Sequence, residues 1–377
     1  MNDRSEKFRN LLVPIFSVIL GLILGAILMA AFGFNPAQGY SSMLNASLGS
    51  QRSIGETLRQ ATPLIFTALG FSVANSAGFF NIGLSGQALC GWIVSIWVAL
   101  AFPDLPKIIL LPTCVILGAL AGAMAAAIPG LLRAFFGTSE VIVTIMMNYI
   151  LLYLSTFALH DIMPETYRSS LDSSNLISQN ASLRVPWMTQ MFGGSRVNTG
   201  LFLALIALFL VWLLMKKTTL GFEIRSVGLN PFASEYAGMS SKRTIVLSMV
   251  ISGALAGLGG VVEGLGTYQN FFVQTTSLSI GFDGMAVSLL GSGSAIGILL
   301  SAILFSILKI GCLGMQTGAG VPFEIVNVSI ALIIFFVGIN FLIRFIMAKF
   351  FQGKKQEEIV ATIESKPANN SQEGGEL

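Results

Sequence analysis

The feature that most constrains this chain is the length of its apolar runs. Hydrocarbon about 30 Å thick is crossed by roughly 20 residues of helix, because only a helix satisfies its own backbone N–H and C=O groups there. Ten runs near that length follow one another: 11–34, 58–80, 84–102, 108–133, 139–160, 199–216, 244–266, 278–291, 294–312 and 323–348. The eighth is short and carries Asp283, which suits a re-entrant or broken helix. Composition agrees, with 54% hydrophobic and 10% charged residues where a soluble chain carries roughly 25% charged. Mean hydropathy is +0.79. The fold expected is an all-α polytopic membrane protein of about ten transmembrane helices, its membrane body spanning 1–348.

The placement of basic residues sets the orientation, since cytoplasmic loops collect Lys and Arg. They gather at Arg4, Lys7 and Arg9, at Arg133, at Lys216, Lys217, Arg225, Lys242 and Arg243, and at Arg344, Lys349, Lys354 and Lys355. Ten crossings then leave both termini cytoplasmic. The same parity puts the loop 161–198 outside, with three acidic and three basic residues, and the segment 217–243 inside. The first run follows a basic stretch, yet it is long and ends at no small-x-small cleavage site, so it reads as an uncleaved helix. The tail 349–377 is rich in Asn, Ser, Gln, Gly and Glu and reads as disordered.

Several chemistries are excluded. Cys90, Cys114 and Cys312 lie far apart in apolar runs, which gives neither a disulfide framework nor a metal spacing. His160 is the single histidine, and no G-x-x-x-x-G-K-[ST] run is present, so the chain holds no P-loop ATPase of its own. No acid, base and nucleophile converge as an enzyme would need. The net charge of +3 is too small to argue for a nucleic-acid partner.

A pattern recurs between the halves. Asn81 to Ala88 reads NIGLSGQA and Ser279 to Ala286 reads SIGFDGMA, so I-G-x-x-G-x-A opens an inward-to-outward run in one copy and an outward-to-inward run in the other. That is the signature of an inverted repeat, whose paired irregular segments line substrate routes in transporters; chance glycine patterns and close helix packing are the competing source. The run from Gly253 to Gly266, GALAGLGGVVEGLG, spaces small residues four apart and reads as a packing stripe. GSGSAIG, Gly291 to Gly297, reads as a tight turn between two spans. In SEVIVTIMMNYI, Glu140, Thr144 and Asn148 share one helix face. That stripe faces either a wet cavity or a hydrogen-bonded seam with a neighbouring helix, and Glu140 suits a helix start.

The stretch GFEIRSVGLNPFASEYAGMSSKR, Gly221 to Arg243, carries five charged residues between two membrane-length runs. Asn230 then Pro231 fit an N-cap and a first-turn proline, and Gly238 fits a left-handed stop, which predicts a two-turn helix over 231–237. Phe232 and Tyr236 form one face, with Glu235 beside them. They need a cover, either the membrane surface or a cytosolic protein.

RSVGLNPFASEYAGMS resembles the cytoplasmic coupling segment of permease subunits in ABC-type importers, in the branch serving nucleosides, simple sugars and branched-chain amino acids. FFNIGLSGQ, SIGFDGMAVSLLG and EVIVTIMMNYI are similar to further motifs of that branch, and the nucleoside members match best, over about Glu56 to Arg344. The long loop at 161–198 resembles the larger of the two permeases of nucleoside systems. One position departs: nucleoside permeases commonly carry Glu where Ser85 stands. The resemblance implies a passage for nucleosides, with sugars or branched-chain amino acids as the alternative within the family. It implies an extracytoplasmic solute-binding lipoprotein, a second permease of different sequence, and a separate ATPase that holds ATP and Mg, this chain carrying no cofactor. Candidate pathway residues are Asn81, Ser85, Gln87, Thr144, Asn148 and Asp283. Candidate coupling residues are Glu223, Arg225, Asn230, Pro231, Phe232, Glu235, Tyr236 and Gly238. A secondary transporter is the rival; it needs an ionisable group at mid-membrane, whereas Asp283, Glu263 and Glu324 fall near the ends of the expected runs.

Overall fold

A computed structural model describes residues 3–338 and is mostly helical. In chain order the helices are α1 (Asp3–Ala31), α2 (Pro36–Leu48), α3 (Gln51–Ser76), α4 (Leu84–Ala101), α5 (Lys107–Phe136), α6 (Glu140–Phe157), α7 (Pro186–Met191), α8 (Gly200–Lys217), α9 (Thr219–Leu229), α10 (Pro231–Tyr236), α11 (Ser241–Val261), α12 (Ser279–Leu290), α13 (Ala295–Ala319) and α14 (Phe323–Gly338). A π-helical turn, Ala158–Ile162, extends α6, and another, Val262–Tyr268, extends α11. Two short strands, β1 (Arg168–Ser170) and β2 (Ser173–Ser174), pair antiparallel in the loop after α6.

Six of these helices, counting the π-helical extensions, are long and apolar enough to cross a membrane: Leu84–Ala101, Lys107–Phe136, Glu140–Ile162, Gly200–Lys217, Ser241–Tyr268 and Ala295–Ala319. They answer the third to seventh and the ninth expected runs. The short eighth run is α12, with 12 residues. The second run shifts: α3 starts at Gln51 and stops at Ser76, and it is less apolar than the six. The expected tail, 349–377, and the end of the tenth run lie outside the described residues. Three helices were not expected: α7 in the loop 161–198, α9 ahead of the expected helix over 231–237, and α2. α2 lies against α13, where Gly311, Gly314 and Gly318 leave room for Met43, Ala46 and Ser42.

The core is built around α11, which packs against α3, α4 and α5. Its small-residue stripe does what the spacing predicts. Gly253 and Gly257 meet the backbone of Gly122 and Gly118 on α5, and a Cβ on Gly260 would collide with the Ala88 carbonyl oxygen of α4. Trp92, Phe66 and Phe71 fill the spaces between these helices and are fully buried. The outward faces of α5, α6 and α8 stay apolar and exposed, as with Met124, Tyr153 and Phe209, which suits contact with lipid. The turn Gly291–Ser294 is tight as expected: Ser292 and Gly293 take positive φ, and the Ser294 hydroxyl caps α13 by accepting from Gly297 N–H at 3.2 Å.

The two polar insertions sit at opposite ends of α11. The loop 161–198 is stitched to its π-helical end, where Arg184 Nε donates to Gly266 O at 2.7 Å, Ile177 N–H to Gln269 O at 2.9 Å and Ser174 N–H to Phe271 O at 2.8 Å. That loop closes on the start of α3, where Glu56 accepts from Arg196 N–H at 2.9 Å, Ser195 Oγ at 3.1 Å and Arg59 Nε at 2.6 Å. The segment with α9 and α10 meets the first turns of α11: Glu223 accepts from the Thr244 hydroxyl at 3.4 Å, and Ser241 Oγ donates to Pro231 O at 2.9 Å.

Candidate functional site

The chain between α3 and α4 is not helical, so its backbone polar groups need partners from elsewhere. Asn81 supplies the first set. Its Oδ1 accepts from Gly83 N–H at 2.9 Å and from Gln87 Nε2 at 3.2 Å, and its Nδ2 donates to Gln87 Oε1 at 3.0 Å and to Ser252 Oγ of α11 at 2.9 Å. The polar stripe of α6 supplies the second. Asn148 accepts from Gly86 N–H and donates to Ile82 O, each at 2.8 Å. Thr144 Oγ1 accepts from Ile82 N–H at 3.3 Å while donating to Glu140 O at 2.7 Å. Of the two readings of this stripe, the structure takes the seam: Thr144 and Asn148 are buried against the loop. Glu140 is the first residue of α6 and pairs with Arg133 at 3.4 Å.

Asn148 also does the work of a helix cap. The first N–H groups of any helix lack intrahelical partners, and Gly83, at the N-cap of α4, has no side chain to offer. The Gly86 N–H is satisfied by a side chain borrowed from α6.

The second copy of the repeated motif meets the first. Ser85 Oγ donates to Leu278 O at 2.7 Å, Thr67 Oγ1 donates to Ile280 O at 2.9 Å, and Gly281 lies against the Ser85 side chain. One turn further along α12, Asp283 forms an ion pair with Lys309 of α13, whose ammonium also donates to Ser279 Oγ at 3.2 Å. Asn81, Gln87, Thr144 and Asn148 thus form one buried network, and Ser85 leads from it through the start of α12 to Asp283. Sequence reasoning missed Lys309 and Ser252. It weighed Lys and Arg only as topology markers, although a lysine inside the apolar run 294–312 is itself a signal. Asp283 is the fifth residue of α12 and stands beside a cation. Glu263 is buried in the π-helical turn, its Oε2 without a hydrogen-bond partner among the described residues.

At the far end, α10 forms as its local chemistry requires. Asn230 Oδ1 accepts from Ala233 N–H at 3.1 Å, Pro231 takes the first position, and Gly238 has φ +84°. The helix ends at Tyr236, one residue before the expected stop, with Ala237 as the cap. Phe232 is 77% and Tyr236 96% exposed, and Leu229, the last residue of α9, is 89% exposed. Arg225 holds its own helix, donating to Gly221 O at 3.2 Å. Glu235 makes no ion pair among the described residues. On its inner side α9 rests on the end of α3: a Cβ on Gly228 would collide with Ser76 O, and Gly78, at φ +82°, lies against Gly228.

Comparison with known proteins gives this geometry a setting. The Lactococcus lactis subsp. cremoris (strain MG1363) nucleoside ABC transporter permease protein NupB is 54% identical over 347 residues, which is 92% of this chain and 95% of that protein. The Bacillus subtilis (strain 168) guanosine ABC transporter permease protein NupP is 44% identical over 344 residues, 91% of this chain and 97% of that one. A second permease of the same L. lactis strain, the nucleoside ABC transporter permease protein NupC, is 25% identical over 254 residues, 67% of this chain and 80% of its own. No solved structure matches. The family model for the permease component of branched-chain amino acid transport systems covers residues 53–337, and the chain belongs to that family.

Proposed function

We propose that this chain is the membrane-spanning permease subunit of an ATP-driven importer that carries nucleosides handed over by an extracytoplasmic binding protein. The observation that carries the reading is the likeness, along nearly the whole chain, to two permeases named for nucleoside and guanosine transport. The pairing of NupB with NupC in one strain supports a second permease of different sequence as partner.

In this reading ten segments cross the membrane, both termini and the tail 349–377 are cytoplasmic, 161–198 faces outward and 217–243 faces the ATPase. ATP and Mg belong to that ATPase, which takes Phe232, Tyr236 and Leu229 into a groove; burial of such aromatics supplies much of a small interface's energy. Glu223, Arg225, Asn230, Pro231, Glu235 and Gly238 shape and flank the docking helix. Movement there passes through α9 to Ser76–Gly78 and so to the loop carrying Asn81 and to Ser85 and Gln87 in the first turn of α4. Thr144 and Asn148 hold that loop, and the start of α12, with Asp283, faces it. The contact between the two copies of I-G-x-x-G-x-A supports their descent from an inverted repeat.

The test is uptake by the assembled complex in vesicles, with labelled guanosine and uridine competed by ribose and by leucine. Competition by unlabelled nucleosides alone is expected. Ribose or leucine displacing the label would move the assignment to the sugar or amino-acid members of the family. The docking arm uses Tyr236→Asp, a residue outside the packed core. We expect loss of ATPase on co-purification and loss of solute-stimulated hydrolysis, with the permease still folded. Full retention of both would remove α10 from the coupling role.

A further inference from the structure

Lys309 and Asp283 form an ion pair at a depth where charge is costly. α13 is one of the six helices able to cross a membrane, and at 1.5 Å per residue Lys309 stands about 15 Å from its C-terminal end and about 20 Å from its N-terminal end. Ionisable side chains at such depth face a bundle interior or a water-filled route rather than lipid. The pair is not sealed in protein. The Lys309 side chain is 25% and the Asp283 side chain 12% exposed, Ser279 beside them is exposed, and so is Phe282 at 52%. Nor are its hydrogen-bonding groups used up. Among the described residues the ammonium, with three donors, reaches only Asp283 Oδ2 and Ser279 Oγ, and Asp283 Oδ1 accepts from no side chain. An open donor, an open acceptor and a hydroxyl share a face one helical turn from the Ser85 contact.

We propose that Lys309, Asp283 and Ser279 form a solute-contacting wall of the passage, fitted to an uncharged, hydroxylated solute. This rests on the permease reading above. A vicinal diol fits the open positions: one hydroxyl donates to Asp283 Oδ1, and the neighbouring oxygen accepts from the Lys309 ammonium. Because the pair is neutral, the wall has no net attraction for a phosphorylated solute that would hold it in the route. A bare lysine at the same position would bind such an anion.

The experiment uses the full complex, with the same binding protein throughout, and compares uptake of a ribonucleoside with uptake of its 2′,3′-dideoxy analogue. Variants are Asp283→Asn, the doubly neutral Asp283→Asn with Lys309→Gln, and the exchanged Asp283→Lys with Lys309→Asp. We expect Asp283→Asn to lower ribonucleoside uptake about tenfold or more, the loss of a hydrogen bond to a charged group, while dideoxy uptake changes little and inhibition by the nucleoside 5′-monophosphate appears. The doubly neutral variant should assemble with the second permease and the ATPase and still show the compressed ratio of the two solutes. A pair that merely ties α12 to α13 predicts the opposite: the neutral or exchanged variants would regain uptake with the wild-type ratio, and that result overturns the proposal. Loss of the second permease on purification would also overturn it, by making this face a subunit contact. Whether the wild-type complex imports nucleosides at all is read separately, so failure of the functional assignment is not confused with failure of the wall.

Discussion

Replacing Asn148 by Ala isolates the bond network that shapes the α3–α4 loop. The amide makes two 2.8 Å hydrogen bonds, one from Gly86 N–H and one to Ile82 O, and it is buried. Alanine leaves both backbone groups without a partner inside protein. Each orphaned buried group costs about 1 to 3 kcal/mol, so the variant should lose about 2 to 6 kcal/mol. Part of this is the lost cap on α4, a term of about 1 kcal/mol by itself. Against a total stability of about 5 to 15 kcal/mol for a typical domain, that is a large fraction. Thr144→Val removes only the acceptor for Ile82 N–H and should cost about 1 to 2 kcal/mol. The two losses should not add, because Ile82 is held by both side chains. Unfolding of purified permease by SDS in mixed micelles measures the stabilities, and uptake in vesicles measures the effect on the loop. A change below about 0.5 kcal/mol for Asn148→Ala, with uptake intact, would refute the view that α6 holds this loop.

Gly260→Val should prevent close packing of α11 on α4, because the new Cβ meets the Ala88 carbonyl oxygen. The expected loss is about 3 kcal/mol or more, the upper end of overpacking, since backbone cannot change rotamer. Gly137→Ala, with open space around it but φ +65°, should cost about 1 kcal/mol; the folded fraction on size exclusion compares the two. The outer loop should loosen in acid. Glu56 lies before the expected span 58–80, and although burial alone would raise its carboxyl, hydrogen bonds from Arg196 and Arg59 and their charges outweigh that and hold it below the ordinary value of 4.5. A lowered folded pKa stabilises above the unfolded value and is lost as pH falls through the folded one. The thermal stability difference between wild type and Glu56→Gln should therefore be constant from neutrality to about pH 5 and vanish below the ordinary carboxylate range. A difference that grows in acid would reverse the assignment.

What could be read from the sequence divides by how local its cause is. The cap of α10 was legible because Asn230, Pro231 and Gly238 act within a few residues of one another. The Gly253–Gly264 stripe was legible because helical spacing fixes which residues share a face. Whether Thr144 and Asn148 faced water or a neighbour was not, because only the folded chain brings Ile82 and Gly86 to them. α2 escaped notice because PAQGYSSMLNASL is only mildly apolar, and its partner surface is made by glycines far along the chain in α13. Lys309 was visible as a letter and overlooked as chemistry: its meaning depends on Asp283, which sits on a different helix.

The contact between Gly228 and the Ser76–Gly78 backbone has a mechanical consequence. Side chains between two helices act as compliant spacers, since a rotamer change can absorb a small displacement before it reaches the next backbone. Here main chain bears directly on main chain, with no torsion in between to take up slack. In the proposed cycle a shift of α9 by a fraction of an ångström therefore reaches Gly78 nearly undiminished, only three residues before Asn81. A linkage this stiff transmits small strokes faithfully in both directions. The state of the loop is thereby imposed on α10 as firmly as the motion of α10 is imposed on the loop.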